Sequence, residues 1–139
     1  MDGPWLIDIS PWHSPSATTG GFNREQSTAY LGGGSCYGGG TGTDSLSWDV
    51  PLTAGTWSFT LLYQSRADSG DYTVKFDSTT LGTINGYSVA TIPNVVAQIT
   101  GVVVSANAIV RLTIASPTKN GSASAYYMKP IHITLNRTA

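Results

Sequence analysis

Charge, cysteine, histidine and glutamate are all scarce in this chain, and each scarcity removes a class of function. Only 11% of the 139 residues are charged, and the formal net charge is -1. The basic residues Arg24, Arg66, Lys75, Arg111, Lys119, Lys129 and Arg137 stand singly. A phosphate backbone or an anionic bilayer would therefore meet no concentrated positive patch. Neither nucleic acid nor membrane is expected as a partner. The single cysteine, Cys36, leaves no internal disulfide to form, so nothing depends on an oxidising compartment. No apolar run approaches the roughly 18 residues needed to cross a bilayer. The opening MDGPWLIDIS lacks the basic start and apolar stretch of a signal peptide, and synthesis and use without export are expected.

The scarcities also bear on catalysis. Two histidines, His13 and His132, are too few for most imidazole chemistry, and His132 alternates with Ile131 and Ile133, which puts it on the polar face of a strand. A nucleophilic serine would need a base and an oxyanion hole, yet no G-x-S-x-G elbow occurs. Glycoside hydrolysis would need two carboxyl groups about 5 to 10 Å apart. Glu25 and the aspartates at 2, 8, 44, 49, 68, 71 and 77 fall mostly in turns, where such side chains bond nearby backbone. RADSGDY lacks the alternating ligands of an EF-hand, and GGGSCYGGG lacks the lysine and following helix of a phosphate loop. No catalytic residue, metal or cofactor is expected, and the chain is not expected to be an enzyme.

What the chain has in quantity is β-branched and aromatic residues in short alternating runs. TWSFTLLYQS, residues 56 to 65, puts Trp57, Phe59, Leu61 and Tyr63 on one side of an extended chain. SLSWDV, DYTVKF, TLGTI, VVAQITGVVVS, IVRLTIAS and IHITLNR repeat the theme between turn signals such as Asp68-Ser69-Gly70-Asp71, Asn85-Gly86 and Asn120-Gly121. Such strands each offer one apolar face, which two antiparallel sheets can bury against each other. A chain of this length buries roughly 68% of its unfolded surface, enough for one core. The expected fold is an all-β antiparallel sandwich of jelly-roll type over residues 44–139.

Before residue 44 the composition shifts to glycine, proline and serine, ending in LGGGSCYGGGTGTD. Glycine-rich backbone is costly to order, yet this stretch carries large apolar anchors. Residues 1–43 are read as an irregular arm that Trp5, Trp12, Phe22, Tyr30 and Tyr37 hold against this domain or a neighbour, with a short strand near WLIDIS and a spacer around Cys36 and Tyr37. The adjacent Tyr126 and Tyr127 must face opposite ways on a strand, so one ring leaves the core. Flat rings match the apolar faces of sugars, which makes these two tyrosines the candidate glycan contacts.

The segments AGTWSFTLL, DYTVKFD, LGTINGY and K-N-G-S-x-S-x-Y-Y at 119 to 127, spread over residues 52 to 137, resemble a β-sandwich module of tailed-bacteriophage virion proteins. The resemblance implies a jelly-roll, carbohydrate-binding-like domain, commonly trimeric, with a structural or adhesive role. The leading expectation is a capsid decoration or cement protein located in the virion, partnered by the major capsid protein or another virion protein and by copies of itself as a homo-trimer. The alternative is a carbohydrate- or receptor-binding module of a tail fibre or baseplate, for which a cluster of exposed rings near loops 65 to 71, 85 to 94 or 116 to 125 is the distinguishing feature.

Overall fold

The computed structural model describes residues 6–11, 17–26 and 34–139, with backbone alone for 17–19, 23–26 and 34–37. Every regular element among them is a strand, and every pairing between strands is antiparallel. In chain order they are β1 (Leu6–Ile9), β2 (Ala17–Thr19), β3 (Phe22–Gln26), β4 (Gly34–Gly40), β5 (Ser45–Leu52), β6 (Gly55–Ser65), β7 (Tyr72–Phe76), β8 (Thr79–Ile84), β9 (Ile92–Val104), β10 (Ala108–Ala115), β11 (Tyr126–Met128) and β12 (Pro130–Arg137).

Two large sheets form the body. One has the order β1-β12-β6-β9 and the other β2-β5-β10-β7-β8. The period of two explains their inner faces. Trp57, Phe59 and Leu61 of β6 are completely buried, as are Ile133 and Leu135 of β12. Across the interface, Leu46, Trp48, Val50 and Leu52 of β5, Val110, Leu112 and Ile114 of β10, and Tyr72, Val74 and Phe76 of β7 belong to the same core. Trp57 also donates its indole N–H to the Thr53 carbonyl at 2.9 Å, so this fully buried ring leaves no unsatisfied donor, whereas the Trp48 indole N–H is buried without a partner. The outer face of the five-stranded sheet is rich in hydroxyls, with Ser47 Oγ 2.9 Å from Thr113 Oγ1 across the β5–β10 pair.

Of the stretch read as an irregular arm, the short strand expected near WLIDIS is present as β1, while the other described residues are more regular than that reading. In its described residues the stretch supplies an edge strand to each large sheet: β1 runs along β12 from Leu6↔Asn136 to Ile9↔Ile133, and β2 runs along β5. Ile7 and Ile9 pack on the core, which is the physical reason β1 is ordered. The glycine run is strand rather than spacer. β3, β4 and β11 form a third, small sheet in the order β11-β4-β3, with Tyr126 opposite Gly40 and Phe22 opposite Gly38.

Candidate functional site

The third sheet sits where four connections meet, and backbone hydrogen bonds stitch them together. The β6–β7 connection touches β11 twice: Gly70 N–H donates to the Tyr127 carbonyl at 2.9 Å, and Tyr127 N–H to the Asp68 carbonyl at 3.1 Å. It touches the β8–β9 connection as well, through Arg66 N–H to Gly86 O at 3.2 Å and Ser88 N–H to Arg66 O at 3.1 Å. The β10–β11 connection closes the group, with Ser124 N–H donating to Ala67 O at 3.0 Å and Asp71 N–H to Thr118 O at 3.0 Å. Beside it, Asp44 holds the β4–β5 turn by accepting from Thr41 N–H at 2.9 Å and Thr41 Oγ1 at 2.8 Å.

Tyr126 and Tyr127 are both half-buried on β11. Their rings lie over the glycines of β4 and the turn that follows. A methyl group at Gly40 would come within 2.9 Å of Tyr127 Cε1, and Gly40 has a φ of 112°, a backbone region that favours glycine. Gly40 thus leaves bare backbone against which Tyr127 can lie, while Gly39 faces Asp44 and Gly38 lies against the backbone of Gly21 and Phe22. Lys119 stands 5.6 Å from the centre of the Tyr126 ring and donates to the Ala123 carbonyl at 2.6 Å, so its ammonium is fixed within cation–π range.

Arg66 and Asp68 add a polar pair. Arg66 Nη2 donates to Asp68 Oδ2 at 3.0 Å, and Nε lies 3.0 Å from Oδ1 without the alignment of a hydrogen bond. Both side chains retain about a quarter of their exposure, 28% and 25%. Tyr87, half-buried, bridges to Arg66 through the backbone, and Asn85 Oδ1 accepts from Tyr87 N–H at 3.0 Å.

Beneath this surface lie two tyrosines of the core. The Tyr63 and Tyr72 rings are 4.9 Å apart. Tyr63 donates to the Asn85 carbonyl at 3.0 Å, while the Tyr72 hydroxyl accepts from Lys129 N–H at 2.8 Å and donates to the Gln64 carbonyl at 3.4 Å. Burial pushes both phenols above their ordinary pKa, because a phenolate has nothing to solvate it there. They anchor the connections rather than face a ligand.

The structure therefore brings Tyr126 and Tyr127 together with Tyr87, Arg66, Asp68 and Lys119. The last four were not named from sequence as site residues, although the three connections carrying them were. Phe22 half-buries against the chain's own core. Tyr37 lies on β4 opposite Asn23. Trp5, Trp12 and Tyr30 fall outside the described residues. His132 pairs with Asp8 at 3.3 Å on the outer face of β12, away from the tyrosines. Chemically, the assembly offers ring faces beside a guanidinium, a carboxylate and an ammonium, the mixture of apolar platform and few placed polar groups that suits a small polar ligand.

No protein-family model matches the chain, and no curated protein matches it. Solved structures do share its fold. A Paenibacillus xanthan lyase superimposes with a TM-score of 0.79 at 16% identity over 94% of this chain, which spans only 13% of that enzyme. The CBM36-1 domain of a multidomain xylanase from the hindgut metagenome of Trinervitermes trinervoides gives 0.65 at 13% identity, covering 96% of this chain and 98% of that one. A family 6 carbohydrate-binding module from Clostridium cellulolyticum, in complex with xylose, gives 0.59 at 18% identity, covering 94% and 97%. At these identities the likeness establishes the fold alone: an all-β, jelly-roll-like sandwich of the kind seen in carbohydrate-binding modules, as the strand pattern led one to expect. None of these three is a virion protein, and neither capsid contacts nor a trimer draws support from them.

Proposed function

We propose that this chain is a carbohydrate-binding module that holds a glycan without turning it over, using the loop end built by Tyr87, Tyr126, Tyr127, Arg66, Asp68 and Lys119. The observation that carries this reading is the placement of three tyrosines at one loop end of this fold. Three half-buried tyrosines, Tyr87, Tyr126 and Tyr127, are carried on segments that backbone hydrogen bonds tie together, though not as the fully exposed rings expected of an adhesive face, on a fold shared with modules solved alone and with xylose. In this reading whichever of the Tyr126 and Tyr127 rings leaves the core presents its face to the apolar face of a sugar, and the Arg66–Asp68 pair bonds its hydroxyls.

The virion reading gives way to this one because none of its specific elements, a capsid protein partner or a three-fold assembly, gains support from the fold's relatives. The test is binding to a panel of soluble and insoluble plant, algal and bacterial polysaccharides, followed by Tyr126→Ala and Tyr127→Ala on any ligand found. Loss of the ring that meets the sugar should weaken binding roughly tenfold, equivalent to about 1.4 kcal/mol, while the circular dichroism stays unchanged. Retention of every polysaccharide by both variants at wild-type strength would remove the site from consideration.

A further inference from the structure

Two Asn-Gly pairs lie among the connections at the loop end, Asn85-Gly86 between β8 and β9 and Asn120-Gly121 between β10 and β11. The site described above uses neither side-chain amide. Both asparagines fold back in the same way. Asn85 Oδ1 accepts from Tyr87 N–H at 3.0 Å and Asn120 Oδ1 from Ser122 N–H at 2.9 Å, the turn that Asn side chains commonly make with the backbone two residues on.

Their surroundings differ. Asn85-Gly86 is clamped by distant parts of the chain: the Tyr63 hydroxyl donates to the Asn85 carbonyl at 3.0 Å, and Arg66 N–H to the Gly86 carbonyl at 3.2 Å. Gly86 is buried, and a methyl there would collide with the Gly70 carbonyl. Asn120, Gly121 and Ser122 are all exposed instead, and a methyl at Gly121 would meet nothing within 4 Å. Among the described residues the Gly121 N–H has no acceptor, and the Asn120 carbonyl is held by a local turn bond, from Ala123 N–H at 2.9 Å.

We propose that Asn120-Gly121 deamidates spontaneously in the folded chain, and that Asn85-Gly86 is held against the same reaction. Glycine has no Cβ to obstruct its nitrogen. The Gly121 N–H gives its proton to solvent, and the nitrogen bonds to Asn120 Cγ. Charge gathers on Oδ1, where the Ser122 N–H already stands at 2.9 Å as an oxyanion donor. The bond from Cγ to Nδ2 breaks, the side-chain nitrogen takes up a proton and leaves as ammonia, and a cyclic imide remains. Water opens the imide at either carbonyl, to aspartate or to isoaspartate. One water is consumed and one ammonia released, with no oxidant or cofactor.

Closing the imide turns the backbone of the asparagine, so bonds that fix the flanking carbonyls oppose it. At Asn85 two bonds to distant segments must yield, which slows the step at least roughly tenfold relative to Asn120. The product at 120 lies beside Lys119, whose ammonium donates to the Ala123 carbonyl at 2.6 Å and stands 5.6 Å from the centre of the Tyr126 ring. Aspartate adds a negative charge next to that ammonium, and isoaspartate lengthens the turn by one backbone carbon. Either product alters the corner that Tyr126 occupies, whether or not a glycan binds there.

The experiment is incubation of the full chain at neutral and at mildly alkaline pH, folded and in urea, with peptide mapping by mass spectrometry and enzymatic methylation of isoaspartate over time. In the folded chain the mass gain of NH2 replaced by OH should fall on Asn120 at least roughly ten times sooner than on Asn85, and faster at the higher pH. In urea, where the clamp on Asn85 is gone, the two sites should convert together. Gly121→Ala should slow conversion at Asn120 at least tenfold while leaving the melting temperature unchanged; if that variant fails to fold, the comparison of the two sites in the unaltered chain decides. Equal rates at both sites in the folded chain, an Asn120 still intact when the unfolded chain has converted, or a folded Gly121→Ala variant that converts as fast would each overturn the proposal.

Discussion

Replacing Gly40 by alanine should disturb the site through the bare backbone beneath Tyr127. At φ 112° an alanine sits in a region that costs roughly 1 to 3 kcal/mol. Its methyl would meet Tyr127 Cε1 at 2.9 Å and Cζ at 3.0 Å, closer than ordinary contact, and overpacking of this kind costs about 1 to 3 kcal/mol more. A total near 3 kcal/mol, at roughly 3 °C per kcal/mol for a domain of this size, lowers the melting temperature by about 9 °C. Guanidinium unfolding followed by tryptophan fluorescence would measure it. Gly121→Ala is the control, because a methyl there meets nothing within 4 Å; its effect should stay within about 0.5 kcal/mol. The double variant Gly40→Ala with Tyr127→Ala separates the two causes. If the methyl strikes the ring, removing the ring relieves that part, and the cycle shows a coupling of about 1 to 2 kcal/mol. Strict additivity, or a Gly40→Ala variant as stable as the control, would refute the account of Gly40 as the bare backbone beneath the tyrosine.

Two further outcomes follow from buried and paired groups. Tyr72→Phe strips the buried backbone N–H of Lys129 and the carbonyl of Gln64 of their partner, and should cost about 1 to 3 kcal/mol in urea unfolding. Because burial raises the Tyr72 pKa above 10, the stability its neutral form confers is complete below pH 10 and falls as pH climbs toward the raised value; the phenylalanine variant should lose that part of the alkaline decline. Asp49 accepts from Arg111 at 2.8 and 3.0 Å, and this hydrogen bonding holds its pKa below the ordinary 3.8. Its contribution is therefore present above pH 3.8 and lost as pH falls through the depressed value. Asp49→Asn should flatten the stability profile there by a small amount, since the pair is exposed.

The strands from residue 45 onward were legible because their residues alternate. Trp57, Phe59, Leu61 and Tyr63 could face only one way, and the turn signals fell at the strand ends. β2, β3 and β4 were not legible. FNREQ and GSCYGGG show no apolar alternation, and their order comes from pairing with β5, with each other and with β11, which local composition does not record. The candidate site was half legible for a related reason. Two adjacent tyrosines announce a ring outside the core, but Arg66, Tyr87 and Lys119 join them only through hydrogen bonds between connections distant in the chain. The glycine at position 40 is intelligible only once Tyr127 lies against it.

The measurement that bears most directly on the central claim is an amide shift titration of the full chain with a soluble oligosaccharide drawn from the best-bound polysaccharide. If the loop end is the glycan site, shifts concentrate in residues 66–71, 85–88 and 118–127 and saturate together. Saturating shifts confined to the outer sheet faces or to β9, with those connections silent, would contradict it.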